Sequence, residues 1–353
     1  MQSMAKTRHW SVRSLPALIA SAGLPLIVQL TACEPPAPPA APVAAVSGPL
    51  PPASAAPAAA MPAPVPLCPA EWCAVAGLPT QVTFSAVWGS SPTDVWLAGD
   101  QGSLLHWNGS AWSAVASGTQ SSLRALSGTS AKDVWAAGLE GTLLHFDGTS
   151  WSAAQKSGKA WSPASGPNEH PIYALLALPN LLWAGGAGTR SFDGTKWTES
   201  HHASHLPTLA LWGLDSSSAW AVGPQGMVNR WDGREWLKAQ ANEGPTFQGV
   251  WGSAPNEVWC VGNMGATVHW SGGRPSTIPS GTANDLYGVY GFGAKDVWAV
   301  GAHGTIVHWV GSAWKPSPSP ASSALLSVWG SSARDVWIVG EDGVVLRLGH
   351  GPG

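Results

Sequence analysis

The strongest constraint in this 353-residue chain is a tryptophan that returns at a nearly constant interval. It stands at Trp96, Trp135, Trp183, Trp220, Trp259, Trp298 and Trp337, with spacings of 39, 48, 37, 39, 39 and 39 residues. Around each copy one pattern recurs: an apolar stretch ending Val-Trp-Gly, a polar turn, Asp-Val-Trp, small apolar residues, Gly-x-x-Gly, a stretch ending His-Trp, then Asn/Asp-Gly-x-x-Trp. A unit of that length holds four short strands and cannot bury its apolar face alone, so the copies must stack on one another. The pattern predicts an all-β fold, a seven-bladed β-propeller of four-stranded antiparallel blades.

In the first copy strands A to D are expected over residues 84–88, 95–98, 103–107 and 112–116, divided by Gly, Asn, Asp and Ser turns. Composition agrees. The chain has 42 Gly, 31 Pro and 23 Trp with only 10% charged residues, which suits tight turns and broad flat side chains rather than helices. The recurring Gly89, Gly99, Gly102 and Gly109 are expected to serve turns of positive φ. The seventh copy ends at Arg347-Leu348-Gly349 without a strand D. Near the other end, Glu71-Trp72-Cys73-Ala74-Val75-Ala76-Gly77 matches Ala111-Trp112-Ser113-Ala114-Val115-Ala116-Ser117. Residues 71–77 are therefore expected to be the missing strand, closing the ring and removing its exposed sheet edges.

Residues 1–33 carry Lys6, Arg8 and Arg13, then an apolar stretch over residues 15–30, then Leu30-Thr31-Ala32-Cys33. The stretch is about 16 residues long against the roughly 20 that a membrane span needs, so the segment reads as an export signal. Its last four residues resemble the bacterial lipobox. That resemblance implies cleavage before Cys33, lipidation of Cys33, and, with Glu34 next, an outer-membrane lipoprotein facing the periplasm or the cell surface. Residues 34–67 are almost all Pro, Ala, Val and Ser, a composition that builds a tether and no core. The organisation is thus a signal over 1–33, a tether over 34–67 and a propeller over 68–353. Cys68 and Cys73 flank a tight turn and are expected to form a disulfide in an oxidising compartment, while Cys260 reads as a buried small residue.

The repeat resembles the Asp-Val-Trp and His-Trp-Asp-Gly repeats of bacterial cell-surface propeller lipoproteins, and more distantly the sialidase-type and kelch propellers. Phe146-Asp147-Gly148-Thr149-Ser150-Trp151 and Phe192-Asp193-Gly194-Thr195-Lys196-Trp197 stand where a sialidase propeller carries its Asp-box, but without the spacer between Asp and Gly. A sialidase site would, by that resemblance, need three arginines at the propeller mouth. Only Arg124 stands at the start of a strand A.

Other chemistry is weighed residue by residue. His106, His145, His269 and His308 end strand C on different blades, which radiate apart, so they are expected to bond within their own blades and no metal site or cofactor is expected. Asp94, Asp133, Asp296, Asp335 and Glu257 precede strand B and are expected to cap that turn through its backbone. Binding is argued instead from positions at which the copies differ. The B–C turns carry Asp100-Gln101, Leu139-Glu140, Pro224-Gln225, Asn263-Met264, Ala302-His303 and Glu341-Asp342. The second residue of strand A runs Ser85, Arg124, Tyr173, Leu209, Gln248, Tyr287, Leu326. The extra length between Trp135 and Trp183 adds Trp161, Glu169 and His170 to the same face.

The face formed by the B–C turns and D–A connections is therefore the expected binding site. Its candidates are Asp100, Gln101, Arg124, Glu140, Trp161, Tyr173, Gln225, Gln248, Asn263, Tyr287, His303, Glu341 and Asp342. The expected role is that of a monomeric, non-enzymatic interaction module held at the envelope by its lipid and taking a protein or glycan partner. A glycan-active hydrolase or lyase using Arg124, Tyr173, Tyr287 and Glu140 is the alternative. Three of the 17 basic groups lie in residues 1–33, leaving 14 against 20 acidic ones, a balance that argues against nucleic acid.

Overall fold

A computed structural model describes residues 71–79, 81–153, 155–156, 159–160, 170–200, 206–240 and 243–349. The signal, Cys33, the tether, Cys68, Trp161 and Glu169 lie outside the described residues. Among the described residues there are seven four-stranded antiparallel sheets and one two-stranded hairpin, Gln155–Lys156 with Lys159–Ala160. The innermost strands A are Phe84–Ser91, Leu123–Ser130, Ile172–Leu178, Ala210–Asp215, Phe247–Ala254, Leu286–Gly293 and Leu325–Ser332. Each packs against the strand A of the next blade, and the seventh packs against the first, so the ring is closed. Strand A is longer than expected because its pairing with strand B, Asp94–Gly99 in blade 1, continues through two register shifts.

The seventh blade is completed by Trp72–Ala74, which pairs antiparallel with Val345–Leu348, Trp72 lying opposite Leu348 and Ala74 opposite Leu346. The Gly349 amide donates to the Glu71 carbonyl at 2.7 Å and the Val75 amide to the Val345 carbonyl at 2.8 Å, extending the ladder at both ends. Trp72 is 1% exposed. Its ring meets Trp298 of the preceding blade edge-on, centroids 5.1 Å apart, and its indole N–H donates to Ser317 Oγ at 2.9 Å.

That contact recurs at four other seams. Trp112 on Trp337, Trp151 on Trp96, Trp236 on Trp183 and Trp314 on Trp259 repeat it at 5.1–5.4 Å and near-perpendicular planes. At these five seams the strand D tryptophan of one blade presses its edge on the central tryptophan of the blade before it, a favoured aromatic geometry that fuses neighbouring sheets, while Trp220 meets Trp270 of strand C of the next blade instead.

Two of the four glycine positions do not serve positive φ. Gly102 and Gly109 do, at +69° and +92°, but Gly99 is extended at −163°. A Cβ on Gly99 would lie 2.2 Å from the Thr83 carbonyl oxygen. At Gly89 it would meet the Trp329 ring at 2.6 Å, as at Gly128 it would meet Trp88 at 2.7 Å. These glycines are needed for close approach between strands and between blades.

The acids before strand B also have a different task from the one expected. The Asp94 carboxylate accepts from Ser90 Oγ at 2.5 Å and lies 2.6 Å from His106 Nε2 across the ladder. Asp133 bonds Thr129 and His145, Asp296 bonds His308, and Asp335 bonds Ser331 and Arg347. Turn capping by an Asx side chain falls to the C–D turn, where Asn108, Asp147, Asp193 and Asp232 each accept the amides two and three residues on.

Candidate functional site at the crown of B–C turns

The B–C connections leave only a few residues between two paired strands, and in five blades the connection closes as a single 3₁₀ turn: Asp100–Gly102, Leu139–Gly141, Asn263–Gly265, Ala302–Gly304 and Glu341–Gly343. The last glycines of three of these turns, Gly102, Gly265 and Gly304, are packed on the D–A connections that follow their blades. A Cβ would fall 2.2 Å from the Thr119 carbonyl oxygen at Gly102 and 1.9 Å from that of Ala321 at Gly304.

The residue before that glycine is under a different constraint. Gln101, Glu140, Gln225, Met264, His303 and Asp342 all adopt φ of 55–56°, the left-handed region in which glycine is the least costly choice, and all six are exposed. Six times the chain keeps a side chain there, and no two neighbouring copies keep the same one. The third blade alone departs, with a tight Gly186-Ala187-Gly188 turn beside a cavity of about 240 Å³ lined by His170, Arg190 and Glu199.

Inside this crown the central channel opens as a funnel of about 210 Å³. Ser85, Arg124, Tyr173, Leu209, Gln248, Tyr287 and Leu326 line it, so the second residues of six strands A, with Leu209 just before the strand Ala210–Asp215, meet at one mouth. Arg124 Nη1 donates to Ser85 Oγ at 2.9 Å, and Nη2 lies 3.5 Å from the Asp100 carboxylate. Gln248 Nε2 donates to Asn263 Oδ1 at 3.2 Å. The Met264 amide donates to Asp285 Oδ1 at 2.7 Å, Ser121 Oγ to Glu140 at 2.6 Å and Ser323 Oγ to Asp342 at 2.6 Å. Burial and the nearby charges of Asp285 and Glu341 raise the Tyr287 phenol above its usual range. Tyr173 is the most exposed funnel residue at 39%.

The crown therefore couples neighbouring blades, Arg124 of blade 2 reaching Ser85 and Asp100 of blade 1. Arg124, Tyr173, Tyr287 and Glu140 form no shared hydrogen-bonded set among the described residues, since Arg124 is held by Ser85 and Asp100 and Glu140 by Ser121. No group of three or more His, Cys, Asp or Glu among the described residues could hold a metal ion. The four strand C histidines each stay with their own blade's acid. Three sit 2.6–2.8 Å from it, and His269 Nε2 lies 3.2 Å from Glu257. Cys260 is fully buried, and burial pushes its thiol far above the usual range, so it is no nucleophile at neutral pH.

A second mouth, not anticipated from the sequence, lies at the other end of the channel. It is a bowl of about 630 Å³ lined by Trp88, Leu176, Trp212, Leu214, Trp251, Tyr290, Phe292 and Trp329. These residues stand at the A–B end of strand A, where the sequence shows Trp or Tyr in five of seven copies. The aromatic recurrence was the available signal, but it reads equally well as framework.

No protein-family model and no curated relative matches the chain. Solved structures do. A structure of YCF48 from Cyanidioschyzon merolae is 16% identical with a TM-score of 0.64, covering 79% of this chain and 99% of that one. A structure of YCF48 bound to D1 peptide is 17% identical with a TM-score of 0.63, covering 82% and 99%. The extracellular domain of a hybrid two-component system of B. thetaiotaomicron is 11% identical with a TM-score of 0.61, covering 79% of this chain and 39% of that one. At these identities the likeness is one of fold, and it places the chain among the β-propellers.

Proposed function

We propose that this chain is a non-enzymatic protein-binding propeller, held at the cell envelope by a lipid on Cys33, that engages an extended segment of its partner at the crown of B–C turns. The observation that carries the reading is the row of six exposed side chains, of five different kinds, kept at φ near +55° where glycine would cost less. Such outliers are stored where a surface does something with them. The funnel between them offers donors and acceptors in Arg124, Gln248 and Tyr287, which suits the unpaired backbone of an extended chain. A propeller of the same fold, YCF48, has been captured with a peptide, which supports a peptide as the kind of ligand this architecture accepts.

The test exploits the strain itself. Gln101→Gly, His303→Gly and Asp342→Gly together remove three crown side chains while relieving about 1 kcal/mol or more of left-handed strain at each position, offset in part by glycine's entropy. The melting temperature should hold or rise, whereas recovery of the partner in a pull-down from envelope extract should fall about tenfold. Equal recovery by the wild-type and triple-variant proteins would overturn the reading, and a glycan in place of a protein in the eluate would redirect it.

A further inference from the structure

The aromatic bowl at the opposite mouth has chemistry that the crown does not use. Trp88, Trp212, Tyr290 and Phe292 are half-buried, Leu214 is 50% exposed, and Trp251 and Trp329 form the more buried part of the lining. Among the described residues no hydrogen bond reaches the indole N–H of Trp88 or Trp212 or the hydroxyl of Tyr290. Burial raises the Tyr290 phenol above its usual range, so it is a neutral donor at every physiological pH. The bowl thus combines apolar ring faces with hydrogen-bond donors that no protein acceptor among the described residues engages, and no charged side chain lines it.

Its natural complement is a backbone rich in acceptors and poor in donors. Proline has no N–H, and a polyproline-type segment makes no internal hydrogen bonds, so its carbonyls stand free while its rings offer flat apolar faces. Grooves lined by Trp and Tyr recognise such segments by stacking on the rings and donating to the carbonyls. This chain contains one within reach. Residues 55–67 read Ala-Ala-Pro-Ala-Ala-Ala-Met-Pro-Ala-Pro-Val-Pro-Leu, without a single charge to desolvate.

The topology brings that segment to the correct end of the channel. Strand C of blade 7, Val345–Leu348, runs away from the crown turn Glu341–Gly343. Trp72 pairs with its far end, at Leu348, and Ala74 with Leu346. The chain preceding Trp72 therefore arrives at the propeller on the side of the A–B turns, which is the side of the bowl. From the outer strand to the inner one is about 14 Å at three interstrand spacings. Thirteen residues at about 3.1 Å each reach about 40 Å, enough to cross the blade and lie over the mouth.

We infer that the aromatic bowl binds the chain's own Pro/Ala-rich segment, residues 55–67, so that the propeller is seated on its own tether at the face opposite the crown. The inference stands on different residues and a different face from the proposed crown site, so either can fail without the other. It is tested in the full chain by replacing Met61 with the photo-cross-linking residue p-benzoylphenylalanine, irradiating at low micromolar concentration and mapping the cross-linked peptides. Cross-links within one chain to the strands carrying Trp88, Trp212, Leu214 or Tyr290 are expected. Leu214→Asp, at an exposed rim position that bears little packing, should lower their yield about fivefold or more, as should joint replacement of Pro57, Pro62, Pro64 and Pro66 by Gly. Cross-links to the crown face, cross-links between two chains, an absence of cross-links, or a yield unmoved by Leu214→Asp would each overturn the inference.

Discussion

The central tryptophan of a blade is held on two faces, and what holds it differs between blades in ways that can be measured. At five of the seven seams the strand D tryptophan of the next blade lies on one side, and in most blades the strand C residue of its own blade lies on the other. His106 on Trp96, His145 on Trp135, His269 on Trp259 and His308 on Trp298 stack at 3.8–4.2 Å, and the Arg347 guanidinium lies 4.6 Å from the Trp337 ring. An acid anchors the stacking residue in each of these blades. Blade 4 lacks that acid: Ser218 stands where Asp335 stands in blade 7, the Ser218 hydroxyl is buried without a partner, and Arg230 Nε has none either. Ser218→Asp should give Arg230 the bond that Arg347 Nε makes to Asp335 at 2.9 Å, raising stability by about 1 kcal/mol. A thermal melt no higher than that of Ser218→Ala would show the carboxylate to be idle. Two positions before Trp231 the same blade buries Asn229 completely, with both amide atoms unpaired, at a register that holds Val268 and Val307 in blades 5 and 6. Asn229→Val should therefore stabilise the protein by about 1–3 kcal/mol in chemical denaturation, because it removes unsatisfied polar atoms and leaves packing in their place.

At the level of elements, the closing strand carries more than its three residues suggest. It completes a sheet whose outer strand would otherwise be an open edge, and its tryptophan fills the seam between blades 6 and 7. Trp72→Ala should cost about 3–5 kcal/mol, the range for removing a large buried aromatic ring, and removal of residues 71–77 should add concentration-dependent association through the freed edge of Val345–Leu348. Light scattering that stays flat after that deletion would mean the edge is protected in some other way. This strand was legible in the sequence because its pattern, Trp-x-Ala-Val, repeats that of Trp112 and needs no knowledge of the fold. The seven blades were legible for the same reason, as were the funnel positions from Ser85 to Leu326, since a repeat fixes which residue of strand A faces the axis. What could not be read were relations between copies. Gly89 looks like a turn glycine until the Trp329 ring of the neighbouring blade is seen against it, and Asp94 looks like a turn cap until strand C brings His106 across to it. The aromatic bowl was missed on the same ground: Trp88 and its siblings are framework to one blade and surface only to the whole ring.

For the whole molecule, the charge layout predicts how the ring responds to acid. Hydrogen bonds from the Thr195 hydroxyl and the amides of Lys196 and Thr195 hold the Asp193 carboxyl at about 2. Asp133, chiefly through His145, is also held below the usual carboxylate range, as are Asp147, Asp215 and Asp232 through their turns. A carboxyl whose pKa is lower folded than unfolded adds stability above its unfolded value, near 4, and that stability is lost as pH falls through the folded value. His269 acts in the same direction from a higher starting point. Desolvation depresses its pKa in spite of Glu257, so the unfolded chain binds the proton more readily, and folding weakens as pH drops below the unfolded value near 6.5. The melting temperature should therefore be level above about pH 7, decline slightly through pH 6 and fall steeply between about pH 4 and 2. His269→Gln should remove the upper decline and leave the lower one, while Asp193→Asn should shallow only the lower. Because these bonds are short-range contacts to turns and neighbouring strands, added salt should leave both steps in place. A melting temperature that stays constant down to pH 3, or an acid fall abolished by salt, would mean that the stability of the ring is set by long-range charge balance and not by these contacts.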